Sequence, residues 1–333
     1  GDSDRFSAER ASKHIEVMSK VPHSVEHPVE RAQVRRYLYD ILEDMGGEPE
    51  IHEYDSIKFR YGGYFDIGNV YCQFDPLSGP ADSYIMMVAH FDSRFRQTKL
   101  QKTVYSYGAG DDAYGVGSIL ELLSQALKYR DEWHQGVRIL LTDSEENALD
   151  GMKCAAKYNP ELFENVGYVV NLESRGMNGP VLLFETSANN ENVLDLYSET
   201  KAPYGYSLTT VVYRFLPNNT DFTIVKDSIP GINFSTIDNI NYYHVDDDNF
   251  ENINLATIQH YGAQIEPILE EFLTSGEYRD PDALKGDEDL VFFTVPILGI
   301  FSFTKPQFTL FCSVVFALFC LALVLNISAR NAT

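Results

Sequence analysis

Five short segments of the chain carry side chains suited to metal binding and proton transfer. His90 and Asp92 stand in A-H-F-D-S, Asp111 and Asp112 in G-A-G-D-D-A-Y-G, Glu145 and Glu146 in T-D-S-E-E-N-A, Glu173 in N-L-E-S-R-G, and His244 in Y-Y-H-V-D-D-D-N-F-E-N. Imidazole and carboxylate without thiolate form a ligand set suited to zinc. Five acidic or His ligands exceed the needs of one tetrahedral ion, whereas two ions sharing a carboxylate would use them all, which makes two-metal hydrolysis the leading chemistry. Taken singly, each motif has an ordinary explanation. A Glu-Glu pair is commonly a solvated turn, His244 beside two Tyr a satisfied structural histidine, and Asp111-Asp112 a helix N-cap. Their ordered combination carries the argument. His14, His23, His27, His52, His134 and His260 lack comparable settings and read as structural or surface residues.

The elements that must position these residues alternate in an α/β manner. Residues 8–45 carry a helical period broken at Val21-Pro22 and His27-Pro28, and the second half ends at Gly46-Gly47 as a helix should. Residues 84–89, 137–141 and 168–172 are short apolar runs of strand length, while 116–129 and 254–273 show helical spacing. Strands separated by helical stretches predict a mixed, mainly parallel central sheet with helices on both faces. His90, Glu145 and Glu173 then follow strands, and Asp111 and His244 precede helices. Ligands gather outside the carboxyl ends of strands in such sheets.

In order, A-H-F-D-S, G-A-G-D-D-A-Y-G, S-E-E-N-A-L-D-G, N-L-E-S-R-G and Y-Y-H-V-D-D-D-N-F-E-N-I resemble the co-catalytic zinc peptidases of metallopeptidase family twenty-eight, over roughly residues 6–273. The segments N-L-E-S-R-G-M-N-G-P-V-L-L-F-E-T-S, N-T-D-F, F-S-A-E-R-A and V-P-H-S-V resemble its membrane-anchored branch, found in the endoplasmic reticulum and the fungal vacuole. The resemblance implies a zinc-exopeptidase-like α/β/α sandwich and two Zn2+ ions with a water between them. It implies that Asp111 bridges, that His90 and Glu173 complete one metal and Glu146 with His244 the other, and that Glu145 is the general base. Asp92 would orient His90, and Tyr243 would donate to the oxyanion, with Tyr242 an equal candidate. Adjacency lets Glu146 coordinate while Glu145 faces the water. Glu173 in place of the commoner Asp, and Y-G-A-G before Asp111, depart from the family pattern without removing a ligand. The implied activity is that of an exopeptidase, an aminopeptidase first, acting on peptide substrates. The alternatives are a non-catalytic binding or chaperone-like ectodomain and a glutaminyl-cyclase-like transferase.

Composition agrees with a folded acidic domain beside an apolar segment. The 333 residues are 44% apolar and 13% aromatic, with 26 Lys and Arg against 49 Asp and Glu, a formal charge of −23. Such an excess argues against nucleic acid as a partner. The last 44 residues hold only Lys305 and Arg330, which leaves −25 on residues 1–289. That contrast divides the chain into a peptidase domain, 1–289, and a hydrophobic membrane segment, 290–333. Residues 306–329 are uncharged, long enough for one membrane span at about 307–326 that contacts lipid. Residues 290–304 are too short for a second span and read as interfacial or as the start of a broken one. Cys72, Cys154, Cys312 and Cys320 form no framework, and a buried free thiol is the expectation for the first two. The sequons at Asn218 and Asn233 fit an extracytoplasmic or lumenal domain. The opening Gly and the early end after the hydrophobic run are those expected of a processed chain or a piece of a longer one.

Overall fold

Two amphipathic helices open the fold in the computed structural model, which describes residues 5–213, 215–216 and 218–331, with side chains to 327. Helix α1 (Ala8–Met18) buries Ala8, Ala11, Ile15 and Met18, one stripe at helical spacing. Helix α2 (Pro28–Asp44) starts on a proline and buries Arg31, Val34, Leu38 and Leu42. Both breaks expected from the prolines are present.

Strands β1 (Glu50–Lys58) and β2 (Tyr64–Phe74) form an antiparallel pair at one sheet edge. Strand β3 (Tyr84–His90) is buried at every residue. A small ribbon, β4 (Gln97–Lys99) and β5 (Lys102–Val104), precedes α3 (Ala113–Ala126). Strand β6 (Gly136–Thr142) leads into α4 (Glu145–Ala148) and α5 (Asp150–Tyr158). There follow β7 (Val166–Ser174), β8 (Leu182–Thr186), α6 (Glu191–Tyr197), α7 (Ser207–Tyr213), α8 (Phe222–Val225), β9 (Gly231–Thr236) and α9 (Leu255–Thr274).

The sheet order is β1-β2-β6-β3-β7-β9-β8. The four central strands β6, β3, β7 and β9 run parallel, and the outer strands are antiparallel to their neighbours. This is the mixed α/β sandwich the sequence predicts. Ile85, Met87 and Ala89 join one core with α1, α3 and α9, while Met86 and Val88 join a second with α5 and α8. Alternation along one strand thus feeds two helical layers, which is why the run has no polar residue before His90. Registers set His90 opposite Thr142 and Ser174 opposite Thr236, so the parallel strands end together at one edge. Cys72 and Cys154 are free and buried.

Residues 291–303 depart from the expectation of the start of a broken span. They form a β-hairpin, β10 (Val291–Val295) with β11 (Gly299–Phe303). Phe292 enters the main core, Thr294 bonds Gly205, and Tyr206 bridges to Phe293. Alternate burial of β10 shows the physical reason: an uncharged segment of period two can pair with a sheet edge. By packing, residues 291–303 therefore side with the domain. Helix α10 (Lys305–Asn331) follows, and within its stretch Lys305–Ile327 an 18-residue window reaches a mean hydropathy of 2.8 with none of it buried. At 1.5 Å per residue those 23 residues are long enough to cross a bilayer core of about 30 Å.

The two sequons differ in setting. Asn233 is fully buried in β9, where its amide donates to Glu185 and Thr220, so it is no surface acceptor. Asn218 lies at the wall of the main cavity.

Candidate metal centre

All eight residues singled out in the sequence meet at the carboxyl edge of the parallel strands. His90 ends β3, Glu173 is the penultimate residue of β7, and Glu145 and Glu146 open α4 just after β6. Asp111 precedes α3, whose N-cap is Asp112, and Tyr243 and His244 follow β9 in an irregular loop. Glycine is required in the Asp111 loop. Gly108 holds φ +68°, and a Cβ there would sit 2.9 Å from Ser93 Cβ. Ser144 and Leu149, both left-handed, turn the chain sharply on either side of α4.

Asp111 stands between the two histidines. Its Oδ1 is 3.2 Å from His90 Nε2 and its Oδ2 is 3.1 Å from His244 Nε2. Glu146 Oε1 is 3.0 Å from the same His244 nitrogen, and Glu173 Oε2 is 3.8 Å from His90 Nε2. Ligand atoms of Asp111, Glu146 and His244 lie within 4.8 Å of one another, as do those of His90, Asp112 and Glu173. Asp112 is an addition to the expected ligands: the sequence sets it beside Asp111, and as a helix cap accepting from Gly115 it was assigned no metal. Asp111 Oδ2, Glu146 Oε1 and His244 Nε2 are buried and hydrogen-bond no described residue. Convergent acceptors left unpaired out of water are costly, and a cation between them satisfies all three. The donor set, nitrogen and carboxylate oxygen, fits zinc.

The surroundings tune these groups. Burial alone would lower His90, yet hydrogen bonds with Asp111 and Asp92 and the charge of Glu145 raise it well above the usual range. His244 is pushed up to about 9, because Glu146 and Asp111 outweigh its burial. Glu145 is raised well above an ordinary carboxyl by burial and by Glu173, and Glu173 itself by burial with Asp112 and Asp111. Burial also works on Glu146, but His244 and Arg94 hold it below the ordinary range. Tyr243 is raised by burial and by the charges of Asp111, Glu146 and Glu145, so its hydroxyl keeps its proton.

Positioning residues complete the arrangement. The His90 ring is held at Nδ1 by the Asp92 backbone carbonyl at 3.0 Å, with the Asp92 carboxylate farther off at 3.5 Å. That carboxylate instead accepts the Glu145 amide at 2.9 Å. Arg94 binds Glu146 Oε2 at 2.7 Å, and Asp248 accepts from Gly110 N at 2.6 Å and Ser106 Oγ at 2.7 Å. Arg94 follows H-F-D-S directly and Asp248 lies in the acidic run after His244, but neither position signalled its partner. Tyr243 stacks on His244 with ring centroids 3.5 Å apart and lines a cavity of about 820 Å³ with Glu145 and Arg175. Tyr242 packs partly against the core and does not line that cavity. Leu182, Phe184, Leu208, Val212 and Ile237 form the apolar part of the wall.

A family model described as Peptidase family M28 matches residues 69–269. The chain belongs to peptidase family M28. The family is one of peptidases, and relatives of this M28 chain are a metallopeptidase and a membrane protease. The chain is 30% identical over 260 residues to endoplasmic reticulum metallopeptidase 1 of Homo sapiens, covering 76% of this chain and 27% of that protein. It is 27% identical over 210 residues to the vacuolar membrane protease of Saccharomyces cerevisiae strain YJM789, covering 62% of this chain and 20% of that one. The chain thus spans only a minor part of the length of these two relatives. Among solved structures, the aminopeptidase from Aneurinibacillus sp. strain AM-1 superposes with a TM-score of 0.66 at 13% identity, covering 86% of this chain and 97% of that one. The Porphyromonas gingivalis glutaminyl cyclase gives 0.64 at 18%, covering 81% and 99%. At such identities the likeness is one of fold.

Proposed function

We propose that this M28 chain is a membrane-tethered metallo-exopeptidase, an aminopeptidase in the first instance, that holds two zinc ions. The observation that carries the reading is Asp111, whose two oxygens face two histidines, His90 at the end of β3 and His244 in the loop after β9, at 3.2 and 3.1 Å. His90 and Glu173 would hold one ion and Glu146 with His244 the other, with Asp111 shared and Asp112 beside the first. When bound, the ions polarise the scissile carbonyl and lower the pKa of water. Glu145, beside but outside the Asp111, Glu146 and His244 group, takes the proton from the attacking water and passes it to the leaving amine. Its burial favours the proton-carrying form, as that second transfer needs. The Tyr243 hydroxyl, kept protonated, donates to the developing oxyanion. Asp92 and Arg94 keep His90, Glu145 and Glu146 in place.

The aminopeptidase preference is supported by the fold shared with the Aneurinibacillus aminopeptidase. Two ligand groups rather than one favour hydrolysis over a glutaminyl-cyclase-like transfer. The apolar helix after β11 and the endoplasmic reticulum and vacuolar relatives support a membrane location, with the domain on the lumenal side.

The test is metal content and turnover of the full chain in detergent, on free and amino-blocked peptides, beside Glu145→Gln. Near two zinc per chain, cleavage of free peptides only, and loss of turnover with metal retained in the variant would support the reading. No bound zinc and no turnover in a well-folded sample would replace it with a binding ectodomain.

A further inference from the structure

One wall of the cleft is continuous with the surface where α10 begins. Phe308 and Phe311 of that helix pack on Phe293 and Phe303 of the hairpin, with ring centroids 5.5 to 6.4 Å apart. Phe311 lies six residues past Lys305, about 9 Å along the helix at 1.5 Å per residue. A residue that touches Phe311 therefore shares the depth of the helix's first two turns, which for a membrane span is the headgroup and upper acyl region. Phe293 is in turn bridged to Tyr206, the residue before α7, and Phe292 N donates to the Ser207 hydroxyl.

The two elements that meet at that joint, α7 and the hairpin, both expose apolar side chains. Helix α7 turns Thr209, Thr210 and Tyr213 toward Phe184 and leaves Leu208 exposed at 70%. Phe215 follows at 85%, and the hairpin tip carries Ile297 at 104% and Leu298 at 70%. Tyr204 and Tyr206, in edge-to-face contact, flank the joint with the amphipathic rings typical of a membrane interface. Large apolar side chains left in water on two adjoining elements call for an occupant. Leu208 and Leu216 belong both to this surface and to the lining of the cleft.

We propose that Leu208, Phe215, Leu216 and the hairpin tip Ile297–Leu298 rest in the headgroup layer of the bilayer that α10 enters, so that the cleft opens at the lipid surface and receives peptide ends presented there. The occupant is lipid because the apolar surface is joined, ring against ring, to a helix apolar enough to span. The inference rests on reading α10 as a membrane span and not on the peptidase chemistry.

The experiment places the full chain in phosphatidylcholine vesicles and reads quenching by lipids brominated at shallow or deep acyl positions. Trp133, the one native tryptophan, is buried in the core and supplies a constant background. Ile297→Trp and Phe215→Trp are compared with Phe319→Trp in α10 and with Tyr64→Trp at the exposed start of β2, near the other edge of the sheet. Expected is about twofold loss of the added emission at 297 and 215 with shallow bromines, as for residues 5–10 Å into the interface, deeper quenching at 319, and none at 64. No quenching at 297 and 215 with quenching at 319 would overturn the inference and leave the span standing. No quenching at 319 either would remove the span and the inference together. Blue-shifted but unquenched emission at 297 and 215 would mean cover by protein, a second copy for instance, and would also overturn it. Ile297→Ser with Leu298→Ser should keep the turnover of a soluble dipeptide. The same variant should cleave a vesicle-bound lipopeptide about fivefold more slowly, and equal rates on both substrates would count against lipid seating.

Discussion

The carboxylate of Asp92 accepts the backbone amide of Glu145 at 2.9 Å. The residue that holds the His90 ring through its own carbonyl thus fixes, through its side chain, the turn after β6 that carries the Glu145 carboxylate. Asp92→Ala should weaken zinc binding about 10- to 100-fold, as loss of an outer partner does. A chelator-competition titration measures it, and unchanged affinity would remove Asp92 from the positioning role.

Glu145→Gln keeps shape and volume while removing the proton acceptor. Turnover should fall about 10²- to 10⁴-fold with zinc content unchanged. A parallel loss of metal in the variant would mean that Glu145 is a ligand instead.

The two tyrosines before His244 separate cleanly. Tyr243→Phe should lower kcat about 10²-fold with little change in KM, the usual effect of removing an oxyanion donor. Tyr242→Phe, off the cavity, should stay near the parent, and the reverse result would exchange their roles.

Without metal, protons substitute for cations at the site. His90, His244, Glu145, Glu173 and Asp112 are all raised, so the folded chain holds more protons there than the unfolded one. For His244 that stabilisation is fully present below its ordinary 6.5 and is lost as pH rises through about 9. Chelated protein should therefore lose thermal stability between those values while zinc-loaded protein, stabilised by ligand binding, loses less. Thermal melts with and without chelator decide it, and a gap in Tm that fails to widen with pH would refute the account.

Beneath the site, Asp143 is buried with Arg31 at 3.4 Å and Arg35 at 3.8 Å. Burial pushes its carboxyl up to about 6 against the pull of Arg31. Arg31→Met leaves a less compensated buried charge, a change that costs about 3–5 kcal/mol when a buried pair is broken. Since the carboxyl gains its proton below about 6, the loss should be larger at pH 8 than at pH 5. Equal melting shifts at both values would sink the explanation.

Buried parallel strands were legible because burial on both faces writes an unbroken apolar run, as in β3, β6 and β7. The edge strand β1 was not, since its half-exposed E-I-H-E-Y-D-S-I-K mixes polar residues into the pattern. Hairpin β10–β11 was hidden by the apolar run it shares with α10. The ligands stood out by lying just past strand ends, whereas Arg94 and Asp248 act through partners 52 and 138 residues away, a distance that local pattern does not record. Asn233 carries a sequon that burial overrides.

A single residue, Thr304, separates β11 from α10. With the phenylalanine cluster clamping both sides of that joint, the domain is mounted on α10 like a fixed arm. A flexible linker of about 20 residues would let a cleft wander roughly 25 Å. Under the proposed reading of α10 as a span, a fixed arm would act as a height gauge: a peptide end projecting too little or too far from the bilayer would miss the cleft, whatever its sequence.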